Sequence, residues 1–213
     1  MFDPETAASL MRTLCSAVSG PSLYRGASFL IDRLGDRIAS EVVSVYDDGT
    51  IPGYLGSKPF DGEGLATRRN AVLENGVLRS YLLDTYSARK LTLAPTGNAA
   101  RGVGDVPSVG PTNFFLQPGP YDPAEIIRSV DAGLYVTELI GPGINLVTGD
   151  YSRGAVGFWI EKGELAYPVE EITVAGNLKE MLLGIEMVGS DLAFRSSVVA
   201  PTLKIRRMTI AGH

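Results

Sequence analysis

DDGTIPGYLGSKPFDGEGLATRRNAVLENGVLRSYLLDTYSARKL, residues 47–91, decides the fold. Within it Asn75 and Gly76 separate two β-rich runs, residues 69–73 and 77–83. Asn-Gly in that setting marks a two-residue hairpin, because both residues tolerate positive φ. Upstream, residues 42–46 read as a short strand closed by the turn formers Asp47, Asp48 and Gly49. Downstream, residues 94–110 are rich in glycine and proline without periodicity, which predicts a long loop of the kind that often carries function.

The rest of the chain extends this pattern. Asp3 before Pro4 predicts an N-cap with proline at the first helical position, and Ala7, Leu10, Met11, Leu14, Cys15 and Val18 recur at helical spacing. Gly20 and Pro21 are expected to end that helix, with a weaker helical stretch over residues 28–34. A second hairpin is expected at Lys162 and Gly163, between strands 155–160 and 165–169. Further strands are expected over 113–116, 134–140, 144–147 and 203–210. Asp122 with Pro123 predicts a short helix carrying Ile126, Ile127 and Val130 that stops near Gly133, and Asn177 caps another carrying Leu178, Met181 and Leu182. Helix first, then strands with no regular βαβ alternation, gives an α+β fold: a helical N-terminal segment and a mainly antiparallel β domain with hairpins and two short interrupting helices.

Composition narrows the function classes. The 213 residues are 45% hydrophobic and 20% charged, enough for one sizeable core, and nothing marks a second domain. A formal net charge of -5 repels phosphate backbones and anionic membranes on average. The basic groups Arg68–Arg69 and Lys204, Arg206, Arg207 sit in strand-like runs without interleaved aromatics, so neither nucleic acid nor membrane is an expected partner. Cys15 is the only cysteine and no apolar run suits a signal peptide or a membrane span, which together point to the cytoplasm.

These segments resemble the C-terminal domain of the TldD/PmbA family, a two-subunit bacterial metalloprotease system also called modulators of DNA gyrase. The resemblance runs from the first helix through the 47–91 stretch, GLYVTELIG at 133–141 and ITVAGNLKEMLLGI at 172–185, to LKIRRMTIAG at 203–212. Family proteins carry an additional N-terminal α/β domain that is absent here, so residues 1–213 read as a single C-terminal domain. Zinc-bearing members follow an apolar pair on the first helix with His-Glu and a second His, and use a cysteine far downstream. Here the pair is Leu10–Met11, and Arg12, Thr13 and Ala17 occupy the metal-motif positions; residues 19–35, SGPSLYRGASFLIDRLG, look like the PmbA (TldE) branch. The resemblance therefore implies a non-catalytic component that lacks zinc, pairs with a TldD-type zinc subunit or with itself, and helps cleave unfolded or extended peptides. It also implies that Asp84, Ser87, Arg89, Thr96, Gly97, Asn98 and Arg101, a pattern present in both branches, shape a loop lining the peptide or subunit interface.

The residue chemistry agrees. A catalytic zinc site takes three ligands from His, Cys and carboxylates, and the chain offers one histidine, His213, and Cys15 on an apolar helix face. Asp47, Asp48, Asp61 and Glu63 do not match a calcium-loop spacing and read as turn chemistry. Gly102 and Gly104 lack the context of a phosphate loop. Ser87 with Lys90, at i and i+3, is the nearest approach to a nucleophile and base and supports an alternative, a metal-independent hydrolase; its plainer reading is a short exposed helical turn. The other alternative is a structural homodimer with Phe114, Phe115 and Trp159 at the interface, residues that are more simply core.

Overall fold

A computed structural model describes residues 1–212. His213 lies outside the described residues. Helix α1 (Pro4–Ala17) forms where the periodicity placed it. Asp3 caps it by accepting from the Thr6 amide at 2.8 Å, Pro4 sits in the first turn, and Leu10, Met11, Leu14 and Cys15 are buried on one face. Gly20 and Pro21 do not merely end this helix; they open a second, α2 (Gly20–Tyr24), where proline's fixed φ suits the first turn. Gly20 is required there for a different reason. A Cβ on it would stand 2.3 Å from the Ser87 hydroxyl, so its missing side chain lets α2 press against α3 (Thr85–Leu91). Residues 28–34 form turns rather than the expected helix.

Two sheets make the body. In the first, β1 (Val45–Asp48) pairs antiparallel with β2 (Arg69–Glu74), which pairs with β3 (Val77–Leu78). On its other side β1 meets β6 (Phe114–Leu116), and β6 is joined in parallel by the edge strand β11 (Val198–Val199). Asp47 and Asp48 therefore belong to a strand, not to the turn they were expected to form. The second sheet is dominated by the hairpin of β8 (Asp150–Glu161) and β9 (Glu164–Asn177), flanked by β7 (Ala132–Ile140) and β13 (Thr209–Ala211). Both sequence-predicted hairpins form, with Asn75–Gly76 at φ 48° and 79° and Lys162–Gly163 at φ 51° and 80°. Positive φ at both central residues is the mirror-image turn whose twist matches a right-handed strand pair.

Other boundaries moved. The strand expected at 144–147 is a single bridge, Ile144 to Tyr151, and residues 203–210 split into β12 (Leu203–Ile205), paired with β10 (Ile185–Val188), and β13. The strand after Asn75–Gly76 ends at Leu78. The loop at 94–110 contains a small hairpin, β4 (Ala99–Ala100) with β5 (Ser108–Val109). Helix α4 (Pro123–Arg128) stops five residues before Gly133, and α5 (Leu178–Leu183) is capped by Asn177 as expected. With α3, three short helices rather than two interrupt the strands. The α+β, mainly antiparallel architecture stands.

One core joins these layers. Phe2 bridges β12 through Leu203 and β7 through Val136, and its ring is 2% exposed. From there α1 lies over both sheets, against β11 and β6 of the first and β7 of the second. Among the described residues no helix is long and apolar enough to cross a membrane.

Gly76→Ala should destabilise the fold by about 2 kcal/mol or more. Its φ of 79° strains any Cβ, and that Cβ would lie 2.2 Å from the Ala39 carbonyl oxygen. Urea denaturation checks this; an unchanged midpoint refutes it.

Candidate functional site

The first helix does not offer a metal site. On a regular helix positions 12 and 17 point about 140° apart. Here Arg12 is exposed, whereas Ala17 is fully buried and its carbonyl accepts from the Ser28 hydroxyl at 2.7 Å. Thr13 turns its hydroxyl back to the Ser9 carbonyl. Arg12 supplies a positive charge where a cation would have to sit, so these residues do not fit zinc. Among the described residues no group of three or more His, Cys, Asp or Glu could hold a metal ion. Cys15 packs into the core with its thiol pushed up to about 12, first by burial and then by the Asp47 charge. A thiol so held is neither a ligand nor a nucleophile.

The residues singled out downstream divide into two groups. Asp84, Ser87, Thr96, Gly97 and Asn98 converge. Asp84 caps α3 by accepting from the Ser87 amide at 2.7 Å and from its hydroxyl at 2.6 Å, while the Asp84 amide donates back to that hydroxyl. Thr96 accepts from the Leu83 amide at 2.7 Å and donates to Asn98 Oδ1 at 2.6 Å. Asn98 Nδ2 in turn donates to Asp47 Oδ2 at 2.6 Å. Gly97, between them, has φ 76°, and a Cβ there would meet the Ala66 carbonyl at 2.8 Å. Arg89 and Arg101 stay on the surface and make no ion pair among the described residues.

The network has members that sequence reasoning missed. Asp47, fully buried, also accepts from the Thr112 amide at 2.7 Å and from its hydroxyl at 2.9 Å. Asn70 donates to the Thr96 carbonyl at 3.0 Å. Burial pushes the Asp47 carboxyl above its ordinary range, against the opposing bonds from Asn98 and Thr112 and the Lys58 charge. Only its place beside a turn was visible in sequence; its partners lie 51 and 65 positions away. The other carboxylates are likewise occupied by protein donors: Asp48 by Thr50, Asp61 by Glu63, Leu65 and Ala99, and Glu63 by Thr85. Asp61 and Glu63 thus serve loop order, as their reading expected, whereas Asp48 does so from the end of a strand. The ensemble is a buried brace that fixes the loops after β1, β3 and β5.

Ser87 is therefore not the exposed turn residue expected, nor a nucleophile. Its side chain is wholly buried against Gly20, and Lys90 instead lies 5.6 Å from the centre of the Tyr86 ring.

The open concavity lies along α1. A cleft of about 640 Å³ runs between α1 and residues 191–200, and a second of about 440 Å³ between α1 and the end of β7. Both are lined by Glu5 and Arg12, so these two side chains stand where the clefts meet. Arg195 borders the first and Arg153 the second. Phe194 packs on Phe115 and Tyr54, which fixes the wall carrying Arg195.

The geometry defines a two-sheet α+β domain with polar clefts along its first helix. Comparison with known proteins gives the lineage. Residues 1–212 match the PmbA/TldA metallopeptidase C-terminal domain. The chain is 41% identical over 213 residues to the metalloprotease PmbA of Escherichia coli O157:H7, covering all of this chain and 45% of that protein. It superposes on TldE from Thermococcus kodakarensis with a TM-score of 0.90 at 31% identity, covering 99% of this chain and 49% of that one. Identity to a TldD homolog from Buchnera aphidicola is lower, 29% over 88% of the chain. The chain belongs to the PmbA/TldD family, on its PmbA (TldE) side, and corresponds to the family's C-terminal domain. It spans less than half the length of these relatives.

Asp47→Ala should cost about 3 kcal/mol, because it strands the Thr112 amide and leaves the Asn98 side-chain amide only its longer bond to the Gly110 carbonyl. Asp47→Asn keeps the shape and one acceptor and should cost about half as much. Chemical denaturation of both variants checks the order, which a loss below about 0.5 kcal/mol for Asp47→Ala contradicts. In the native protein Cys15 should resist iodoacetamide at pH 8 and react fully only on unfolding; labelling at the free-thiol rate would contradict its burial.

Proposed function

We propose that this chain is a non-catalytic, PmbA-type component of a two-part metallopeptidase acting on unfolded or extended peptides, with zinc supplied by a TldD-type partner. The observation that carries the reading is the solvent-facing ridge of α1. Its Arg12 takes the place of a metal ligand yet still faces the joined clefts, so the groove persists without the metal chemistry. Kinship with proteins called metalloproteases supports the peptidase setting. The lone cysteine and acidic balance fit action in the cytoplasm on a partner other than nucleic acid.

Peptide capture by strand addition suits this domain. β7 and β13 are the outer strands of the second sheet, and main-chain hydrogen bonds to such an edge give affinity with little dependence on sequence. The buried network around Asn98 then acts by holding the loops after β1, β3 and β5 in one arrangement, which is the role assigned to Asp84, Ser87, Thr96, Gly97 and Asn98. Arg89 and Arg101 are surface contacts available to a partner subunit. The Ser87–Lys90 hydrolase loses its support, since Ser87 is locked on Asp84 and Lys90 points elsewhere. The homodimer reading also weakens, because Phe114 and Phe115 are buried and Trp159 packs against the core.

The test is zinc content and hydrolysis of an unfolded protein substrate, for this protein alone and mixed with a TldD-type subunit. Zinc and activity in the mixture only are expected. Stoichiometric zinc or turnover by this protein alone overturns the assignment.

A further inference from the structure

The second cleft contains an arginine held only by neutral acceptors. Arg153, on β8, donates Nε to the Gly141 carbonyl at 2.8 Å, Nη1 to the Ser9 hydroxyl at 2.8 Å and Nη2 to the Leu139 carbonyl at 3.0 Å. All three acceptors are neutral, and they fix the guanidinium in one orientation between α1 and the end of β7. Arginine carries five N–H donors, so two remain. Neither Arg153 nor Arg12 makes an ion pair among the described residues.

Tyr151, two positions earlier on β8, is buried and does not line the cleft; the Arg153 side chain bears on it, opposing the upward push of burial on the phenol. Arg12 stands three residues beyond Ser9 on α1, exposed on the same cleft.

We propose that the groove between α1 and the end of β7 is a carboxylate-binding site for an extended peptide, anchored by the Arg153 guanidinium and closed by Arg12. An oriented guanidinium is suited to a carboxylate because its donors match the two oxygens and need no reordering. Polyanions fit poorly. Glu5 and Glu138 line the same cleft, and Asp3 and Asp191 the adjoining one, so phosphate chains would be repelled. A peptide brings a single carboxylate together with amide N–H groups that these acids can accept. The proposal rests on the peptide-binding part of the function above but not on the zinc partner, and binding to this protein alone tests it separately.

The carboxylate could be a peptide's C-terminus or an acidic side chain. Dye-labelled alanine-based hexapeptides distinguish them: free acid against C-terminal amide, each with Glu or Gln at the fourth position. Fluorescence anisotropy should give about tenfold weaker binding on removing the recognised carboxylate, and weaker binding at high salt. Loss on amidation identifies the C-terminus; loss on Glu-to-Gln exchange identifies the side chain. Arg12→Gln, at an exposed helix position, should erase the preference without altering the circular dichroism spectrum. Arg153→Lys keeps the charge but loses the fork, and should reduce the preference. Equal binding of all four peptides, no binding at millimolar concentration, or a preference untouched by Arg12→Gln would overturn the proposal.

Discussion

Everything described along the groove depends on how the chain's first residues are pinned. The Phe2 amide donates to the Leu203 carbonyl at 2.9 Å and the Phe2 carbonyl accepts from the Leu203 amide at 3.0 Å, while the Val136 carbonyl accepts from the Asp3 amide on the other side. The β10–β12 pair and the second sheet thereby hold one residue, and the proline-started helix that follows sets out from it across both main sheets. Its apolar face, Leu10, Met11 and Leu14, is then obliged to fill the space between them. Arg12 and Glu5 are left outward by the same rotation. Truncating Phe2 would open a cavity and release the helix together, an effect in the range of about 3–5 kcal/mol for buried phenylalanines.

The second constraint is electrostatic. A carboxylate placed inside a strand must be matched by donors, and Asp47 obtains them from residues 51 and 65 positions downstream. Because those donors are a backbone amide, a hydroxyl and an amide side chain, the chain that carries them must adopt one conformation to deliver all three. Asn98 passes the requirement on to Thr96, and through it to the start of α3. A polar network fully satisfied in this way specifies geometry as much as it adds stability.

Local chemistry was legible in the sequence. The two mirror-image turns, the Asp3, Asp122 and Asn177 caps and the apolar stripe of α1 all depend on residues within a few positions of one another, and they formed as read. The scarcity of histidine and cysteine was equally plain, since it is a matter of residue types. What escaped was non-local. Asp47 looked like a turn former because nothing nearby announced Thr112 or Asn98, and Gly20 looked like a stop signal because its true neighbour, Ser87, is on another helix. Arg153 carried no signal at all. Its meaning comes from Ser9 and from carbonyls at the end of β7, which only the folded sheet brings to it.

The Phe2–Leu203 pairing also sets an order in time. Its partners are separated by about two hundred positions, so the bridge carries one of the largest loop-closure entropies the chain can incur, and contacts of that kind form late. The β8–β9 hairpin closes through two adjacent turn residues and has no such delay. During synthesis α1 leaves the ribosome before the strands that seat it, and its apolar face is exposed in the interval. The helix that borders the groove is thus made before its seat and is among the last elements to be set, which places a period of aggregation risk at that helix.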